Sequence, residues 1–236
     1  MKKLEKYKQY FTKEYMMGPN CVRIAAELLS KYPLNLNGHN TVLEIGCGTG
    51  LSSLYFATET NAILHAYDLW ISEEDNMKRF RQWNMDKRIV SFCKDVSKVQ
   101  FEKEKYDAVV SIDAYHYFAG KEGFFIERIL PAIKSGGITL ICVPGIKEEY
   151  EGKQKETIQE WIKEEAYMFH SCSWWRNIIG DHPDIGFVNI WELECFDEAW
   201  KDWFDTKHPV VDGDIKYYES TIKKYTNLIG IVVKKK

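Results

Sequence analysis

The strongest chemical signal is a set of three glycines at alternate positions, directly after a short apolar run: Gly46, Gly48 and Gly50. Glycine permits a tight turn, and without a Cβ it lets a ligand approach the backbone closely. A dinucleotide fingerprint would need glycine in place of Leu51, and a P-loop would need a lysine followed by serine or threonine after its last glycine. We therefore interpret this glycine loop, which includes Cys47, as a cradle for a ligand without a pyrophosphate.

Two aspartates end the next two apolar runs along the chain. Asp68 follows the run 62–67, and Asp95 follows the run 89–93. An acid at the end of the strand beside a glycine loop is well placed to accept both hydroxyl groups of a ribose. Each aspartate alone would also fit a turn or a helix cap. A glycine loop and two acids on three successive runs together predict an adenine nucleoside, with Asp95 on the adenine side.

Between residues 41 and 145, short β-branched runs alternate with stretches of helical periodicity. The runs predict buried strands at 41–45, 62–67, 89–93, 106–112 and 138–143. The helical stretches are 51–60, 73–85 and 123–133, and a helix at 21–31, with Asn20 as its N-cap, precedes the first strand. This alternation predicts right-handed βαβ units and a parallel sheet, whose carboxyl edge would hold the glycine loop and both acids.

The composition changes after residue 145, where tryptophan and other aromatic residues become frequent. The pattern predicts a helix at 147–169, strands at 187–196 and 226–233, and a helical insertion at 198–226 between those strands. No repeat or linker is visible. We therefore predict a single domain over residues 1–236, which consists of an N-terminal helical cover (1–40), a ligand-binding core (41–145) and a substrate-side elaboration (146–236).

The properties of the whole chain restrict its partners. The 236 residues carry a net charge of −3, which argues against a broad basic face for nucleic acid. No apolar stretch approaches the roughly 18 residues of a membrane helix, and no apolar region follows the basic start as in a signal peptide. The six cysteines form no CxxC pair, which indicates reduced thiols. We expect a cytoplasmic protein that binds neither nucleic acid nor membrane, and the sequence leaves room for a homodimer.

In this order the motifs resemble those of class I S-adenosylmethionine-dependent methyltransferases, over residues 40–145. Residues 44–50 resemble the first motif of that family, which wraps the methionine part of the cofactor, and 106–113 resemble its fourth strand. Residues 134–137 resemble the turn before its fifth strand, although Ser135 stands where proline is more usual. The resemblance implies an α/β fold: a Rossmann-like, seven-stranded, mostly parallel sheet with helices on both faces, an antiparallel last strand and helical C-terminal insertions.

The resemblance also implies S-adenosylmethionine as the cofactor. No metal is expected, because the polar group at 181–184 has no second His or Cys cluster at zinc spacing. The residues that we predict to bind the cofactor are Glu44, Gly46, Cys47, Gly48, Gly50, Asp68, Leu69, Asp95, Val96, Ser111 and Asp113.

Three aromatic residues follow the fourth strand, where the resemblance places the active-site loop: Tyr115, His116 and Tyr117. Tyrosine faces attract a sulfonium cation, and a neutral histidine can take a proton from a nucleophile. We therefore predict Tyr115 and His116 as catalytic residues and Tyr117 as a substrate contact. A histidine at this position in the family often only supports the cofactor, so both interpretations of His116 stay open.

A second predicted substrate surface lies in the C-terminal region and consists of His170, Trp174, Trp175 and Arg176. This stretch resembles one that helps to form the substrate pocket of related small-molecule methyltransferases. A mostly apolar wall with a few polar anchors is typical of such pockets. The alternative is that both tryptophans belong to the core or to an interface.

The resemblance implies transfer of the sulfonium methyl to a small molecule by in-line displacement. Such a transfer mainly requires alignment and exclusion of water, so no catalytic triad is needed. Two alternatives are a catalytically silent regulatory protein that binds S-adenosylmethionine, and an aminopropyl transferase on the same fold. The latter usually needs acidic residues after the fourth strand, where only Asp113 stands. The sequence identifies neither the methyl acceptor nor the accepting atom.

Overall fold

A central sheet of seven strands organises the protein, for which a computed structural model describes residues 4–236. The strands are β1 (Thr41–Ile45), β2 (Ile63–Asp68), β3 (Ile89–Cys93), β4 (Tyr106–Ile112), β5 (Ile133–Ile146), β6 (Ile185–Glu192) and β7 (Thr226–Lys235). Their order in the sheet is β3-β2-β1-β4-β5-β7-β6. The first five strands pair in parallel, whereas β7 is antiparallel to both of its neighbours. This topology confirms the predicted fold class.

Nine α-helices lie in residues 4–236: α1 (Cys21–Lys31), α2 (Leu51–Thr60), α3 (Glu73–Gln82), α4 (His116–Ala119), α5 (Gly152–Ile162), α6 (Cys172–Ile179), α7 (Phe196–Asp205), α8 (Val211–Tyr217) and α9 (Lys223–Tyr225). Short 3₁₀ or π turns extend several of them. In this part of the chain, no helix is both long enough and apolar enough to cross a membrane.

The prediction of a helix at 123–133 is wrong in two respects: this segment is not an α-helix, and its last residue already belongs to a strand. The chain forms a π turn over Phe125–Ile129, a 3₁₀ turn over Leu130–Ala132, and then enters β5 at Ile133. Pro131 lacks a backbone N–H and cannot continue α-helical hydrogen bonding, which explains the change.

Several other predicted boundaries also shift, among them the start of β5, predicted at 138 and found at Ile133. The helix predicted at 147–169 begins only at Gly152 and continues as a 3₁₀ turn over Lys163–Met168. The strand predicted at 187–196 begins at Ile185 and ends at Glu192. Two residues further on, the Glu27 carboxylate of α1 accepts the backbone N–H groups of residues 194 and 195, at 2.9 and 2.8 Å. A side chain from a distant helix therefore binds the chain just after it leaves the sheet.

The helices cover both faces of the sheet. On one face, α1 and α2 pack with α3 and with the C-terminal helix α7, whose Trp200 and Trp203 join the same apolar cluster. On the other face, the π turn and α6 pack against the sheet, and Trp175 is at the centre of that cluster. Helix α1 has one apolar face, on which Val22 and Ile24 are fully buried, because its apolar residues recur at helical spacing.

A buried polar network fastens α1 to α7. The Asn20 side chain caps α1 by accepting a hydrogen bond from the backbone N–H of Val22 at 2.9 Å. Its amide then donates to the Asp202 carboxylate at 2.6 Å. The guanidinium of Arg23 donates to both oxygens of the same carboxylate. One aspartate thus connects the N-terminal region to the C-terminal helices.

Replacing Asp202 by alanine should lower the free energy of unfolding by about 1–3 kcal/mol, since Asn20 and Arg23 lose an ionised acceptor. Chemical denaturation with urea measures this difference. The matched control is Asp205→Ala on the same helix, because Asp205 is exposed and forms no ion pair within residues 4–236. Equal loss in both variants would contradict the assigned network.

Candidate active site

A cavity of about 390 Å³ opens at the carboxyl ends of β1, β2, β3 and β4. The sheet order reverses between β1 and β4, and ligands of open α/β sheets bind at such a reversal. Nine of the predicted site residues line the cavity: Gly46, Cys47, Gly48, Asp68, Leu69, Asp95, Val96, Asp113 and Tyr117. The other predicted residues do not line it: Glu44, Gly50, Ser111, Tyr115, His116, His170, Trp174, Trp175 and Arg176.

At two positions of the loop only glycine fits, because the backbone has a positive φ and a neighbouring side chain lies too close for a Cβ. Gly46 has φ +73°, and a Cβ there would lie 2.1 Å from the Cβ of Ala114, in the loop after β4. Gly50 has φ +86°, and a Cβ there would lie 2.4 Å from the ring of Phe80. Both contacts exclude any side chain. Gly46 therefore lets two loops of the cavity meet, whereas Gly50 allows α3 to pack under the start of α2.

Asp68 joins the glycine loop to the end of β2. One carboxylate oxygen accepts a hydrogen bond from the backbone N–H of Gly48 at 2.8 Å. The other oxygen accepts from the N–H groups of Trp70 and Ile71, at 2.8 and 3.0 Å. A carboxylate has about four acceptor positions, so one remains, on the oxygen that accepts from Gly48, for a hydroxyl group of a ligand. Asp68 shapes the cavity and can also bind in it.

Asp95 forms the corresponding turn after β3. Its carboxylate accepts hydrogen bonds from the backbone N–H and the hydroxyl of Ser97, at 3.0 and 2.6 Å, and lies 3.0 Å from the Lys98 ammonium. The hydrogen bond from the Ser97 hydroxyl is the main reason why the pKa of Asp95 is lowered. Asp95 therefore stays ionised at the edge of the cavity, beside Val96.

Glu44 and Ser111 lie beneath the cavity and support its loops. The buried Glu44 carboxyl accepts hydrogen bonds from the hydroxyls of Ser52, at 2.6 Å, and Ser53, both on α2. Burial raises the pKa of Glu44 to about 7. The Ser111 hydroxyl donates to the backbone carbonyl of Ile45 at 2.7 Å and so connects β4 to β1. The structure places both residues where they position the glycine loop, outside the cavity lining.

Asp113 differs from the other acids of the cavity. It has φ +57°, which is uncommon for a residue other than glycine. Within residues 4–236 its carboxylate has no hydrogen bond and no ion pair, and a Cβ at Gly18 would lie 3.1 Å from it. Burial and the charges of Glu165 and Asp214 raise the pKa of Asp113 to about 7. The sequence analysis missed these last two acids, which come from distant C-terminal elements.

His116 is buried at the start of α4. Its Nδ1 has no hydrogen-bond partner in the described part of the chain, and burial lowers the pKa of His116 to about 3. Its ring lies 4.2 Å from that of Tyr117 and 6.1 Å from that of Phe169. A histidine with so low a pKa is a weak base at neutral pH. Of the two interpretations left open by the sequence, this position favours a supporting role.

Tyr115 lies in the core beside the cavity. Only 1% of its surface is exposed, and its ring packs against Phe118 and Trp175, with ring centres 5.5 and 6.0 Å apart. Burial raises the pKa of its hydroxyl, which has no partner among the described residues. In the loop after β4, Tyr117 lines the cavity and Tyr115 does not.

The predicted C-terminal substrate surface is separate from the cavity. His170 stacks on Trp174 with ring centres 3.5 Å apart, and Arg176 forms an ion pair with Asp181 at 2.7 Å. Trp175 is fully buried in the core cluster. The structure therefore supports the alternative interpretation of Trp175 as a core residue, because α6 turns that side of its helix toward the sheet. In residues 4–236, no group of three or more His, Cys, Asp or Glu side chains could hold a metal ion.

The segment before α1 covers the cavity. Residues 15–19 line it, and the Thr49 hydroxyl of the glycine loop donates to the backbone carbonyl of Tyr15 at 2.5 Å. At the mouth, Trp70 meets Tyr117 edge to face with ring centres 5.2 Å apart. Trp70 keeps 64% of its surface exposed and was missed by the sequence analysis, although its place two residues after Asp68 was a usable signal.

Comparison with known proteins agrees with this architecture. Residues 42–137 match a family model described as a methyltransferase domain. A search of curated proteins found no match. A solved structure of phosphoethanolamine N-methyltransferase 2 from Haemonchus contortus, with phosphomonomethylethanolamine and S-adenosylhomocysteine, superposes with a TM-score of 0.77 at 18% identity. The alignment covers 93% of this chain and 54% of that one, so the chain spans about half the length of that enzyme.

A second solved structure is geranyl diphosphate C-methyltransferase from Streptomyces coelicolor A3(2), in complex with Mg²⁺, geranyl diphosphate and S-adenosylhomocysteine. It superposes with a TM-score of 0.70 at 16% identity, over 89% of this chain and 78% of that one. Identities this low establish a shared fold, and they leave the substrate of this chain to be argued from its own residues.

The buried carboxyl of Glu44 should make stability depend on pH. Because its pKa is raised from 4.5 to about 7 in the folded state, the folded protein holds that proton more tightly, and its contribution to stability is lost as pH rises between those values. The glutamine of Glu44→Gln does not titrate in this range, so this pH dependence is absent in the variant. Relative to the unmodified protein, its free energy of unfolding should rise by about 3 kcal/mol between pH 4.5 and 8. Denaturation curves across that range measure the difference, and a constant difference would contradict the assignment.

Proposed function

We propose that this chain, whose residues 42–137 match the family model of a methyltransferase domain, transfers a methyl group from S-adenosylmethionine to a small molecule. One observation carries the proposal: the glycine loop, Asp68 and Asp95 line a single cavity at the reversal of the strand order. This is the arrangement that an adenine nucleoside with an amino-acid extension requires.

The residues of the cavity fit such a ligand. Asp68 has one acceptor position left for a ribose hydroxyl, and Asp95 with Val96 lies one strand further, on the adenine side. The glycine loop leaves room at Gly48, where a Cβ would already lie 3.0 Å from the sulfur of Met17. The methionine part would then lie toward β4 and Asp113. When bound, S-adenosylmethionine supplies a methyl group on a sulfonium, with a good leaving group already in place.

The contribution of the protein is to align the acceptor and to exclude water. Residues 15–19 lie over the glycine loop, and the contact between Trp70 and Tyr117 narrows the mouth. Their aromatic and apolar side chains form walls that desolvate the reacting atoms. Nothing in this arrangement requires a covalent intermediate on the chain.

The size of the cavity supports a small acceptor. Its volume of about 390 Å³ lies at the lower end of the range for small-molecule pockets, about 300–1,000 Å³. The two solved relatives act, by their names, on phosphoethanolamine and geranyl diphosphate, which are both small molecules. The free cysteines further support a reducing, cytoplasmic location for the reaction.

Aminopropyl transfer is a second candidate, because Glu165 and Asp214 add negative charge near Asp113. Acidic residues in that region suit a polyamine. The two reactions release different products: methyl transfer releases S-adenosylhomocysteine, and aminopropyl transfer from decarboxylated S-adenosylmethionine releases methylthioadenosine. Incubation of the protein with each donor and a pool of metabolites, followed by mass spectrometry of both products, separates them. Binding of S-adenosylmethionine with neither product would indicate the silent regulatory protein.

Asp68→Asn should weaken S-adenosylmethionine binding by about tenfold or more, because a neutral amide loses charge-assisted hydrogen bonds to the ribose and to the glycine loop. Asparagine keeps the size of the side chain, so the loop is disturbed less than by alanine. Isothermal titration calorimetry gives the dissociation constants, with the exposed Asp86→Asn as control. An unchanged affinity in Asp68→Asn would exclude Asp68 as a ribose ligand.

His116→Asn should reduce turnover by less than about tenfold, since removal of a true general base typically costs about 10²–10⁴-fold. The pH–rate profile should keep its shape, because the pKa of His116, at about 3, lies below the working range. Steady-state rates between pH 5 and 9 test both expectations. A larger loss, together with disappearance of an acid limb, would restore His116 as the base.

A further inference from the structure

We propose that the methyl acceptor is a cationic amine and that its ammonium group binds at Asp113. This inference rests on the proposed function and adds the chemical class of the substrate. It begins from a contrast within the cavity: Asp68 accepts hydrogen bonds from three backbone N–H groups, and Asp95 accepts from Ser97 and pairs with Lys98. Asp113 lines the same cavity without any donor among the described residues.

The groups around Asp113 do not compensate its charge. Glu165 and Asp214 are acidic, and both raise the pKa of Asp113. The other titratable groups that interact with it are Cys21, Tyr117 and Cys142, whose own pKa values are all raised, so they are neutral near pH 7. None of these neighbours is basic. A half-buried carboxylate without a partner is costly, and a bound cation lowers that cost.

The only basic side chain among the described cavity-lining residues is Lys94. Lys94 directly follows β3, whereas Asp113 directly follows β4, and both β2 and β1 lie between those strands in the sheet. Lys94 is therefore on the side that the proposed function gives to adenine. The acceptor side of the cavity carries negative charge alone.

Two tryptophan side chains hydrogen-bond to the Asp214 carboxylate. One carboxylate oxygen accepts from the indole N–H of Trp161 and the other from that of Trp203, both at 2.9 Å. These bonds join α5, α7 and α8, which belong to the C-terminal region. Both donors are neutral, so they fix the position of the carboxylate without adding a positive charge beside it. The C-terminal helices thus contribute to the potential at Asp113 while the sheet supplies Asp113 itself.

The chemistry of an amine acceptor balances at this site. The amine binds as an ammonium ion and gives one N–H proton to the Asp113 carboxylate, the cavity acid that has no donor of its own among the described residues. The freed lone pair forms the N–C bond to the methyl group while the C–S bond breaks, and its electron pair stays on sulfur as a neutral thioether. The product is an ammonium ion with one more methyl group, and Asp113 returns its proton to water.

The test uses alkyl and aryl amines, each paired with the alcohol of the same carbon skeleton. Binding to the protein saturated with S-adenosylhomocysteine is measured by saturation-transfer NMR, and turnover by release of S-adenosylhomocysteine from S-adenosylmethionine. We expect amines to bind and react in preference to their alcohols. Asp113→Asn should lower kcat/KM for amines by about 10–100-fold, as expected for loss of a hydrogen bond to a charged group. Asparagine suits the positive φ of this position, so folding should be preserved.

Two further variants make the test specific. Glu165→Gln should lower kcat/KM for amines by only a few fold, because its exposed charge is screened. Asp212→Asn, on the exposed side of α8, is the control and should leave amine turnover unchanged. Affinity for S-adenosylhomocysteine should change by less than about threefold in all three variants, since the inference assigns Asp113 to the acceptor and no longer, as the sequence analysis did, to the cofactor.

The outcomes separate this inference from the proposed function. If neither S-adenosylmethionine nor its product binds, the proposed function fails. If both bind but amines show no preference over alcohols, or if Asp113→Asn keeps full amine turnover, only the amine assignment is overturned. An equal loss of cofactor affinity and amine turnover in Asp113→Asn would also overturn it, by assigning Asp113 to the ammonium group of the cofactor. Preferential amine binding that Asp113→Asn abolishes would support the inference even without turnover.

Discussion

Compensation of buried negative charge is the constraint on which the site depends. Four carboxyl groups lie in or directly beneath one cavity, and three of them meet this constraint in different ways. Glu44 has its pKa raised to about 7 and is held by two serine hydroxyls. Asp68 remains an acceptor for backbone N–H groups and thereby shapes the glycine loop. Asp113 has no donor among the described residues. The first two carboxyl groups build the cavity, and the third leaves a position for a cation.

Both ends of the chain contribute to the enclosure of that cavity. The segment before α1 lies over the glycine loop, and α1 itself is fastened to α7 through Asp202. The C-terminal helices in turn carry Asp214, whose charge reaches Asp113. The mechanical link and the electrostatic effect therefore involve the same helices. A change in the packing of α7 would alter both the cover of the cavity and the potential inside it.

The aromatic residues discussed above lie in three different settings: the core, the hydrogen bonds to Asp214, and the mouth of the cavity. Trp175 fills the core under the sheet, whereas Trp161 and Trp203 present their indole N–H groups to Asp214. Tyr117 and Trp70 form a third contact at the mouth. Tryptophan suits positions 161 and 203, because it combines a large apolar surface with one hydrogen-bond donor. Composition alone could not assign these residues to core, network or mouth.

The sequence by itself determined the features that depend on local chemistry. Helix α1 begins and ends at the predicted residues 21 and 31 because its cap and apolar spacing are local, and the predicted strands 89–93 and 106–112 are likewise confirmed. The glycine loop was also readable, since its φ angles and close approaches exclude side chains. Only the tertiary structure decided that His116 and Tyr115 are buried and that Glu165 and Asp214 influence Asp113. Burial and electrostatic coupling depend on which distant surfaces pack together, and spacing along the chain does not encode that packing.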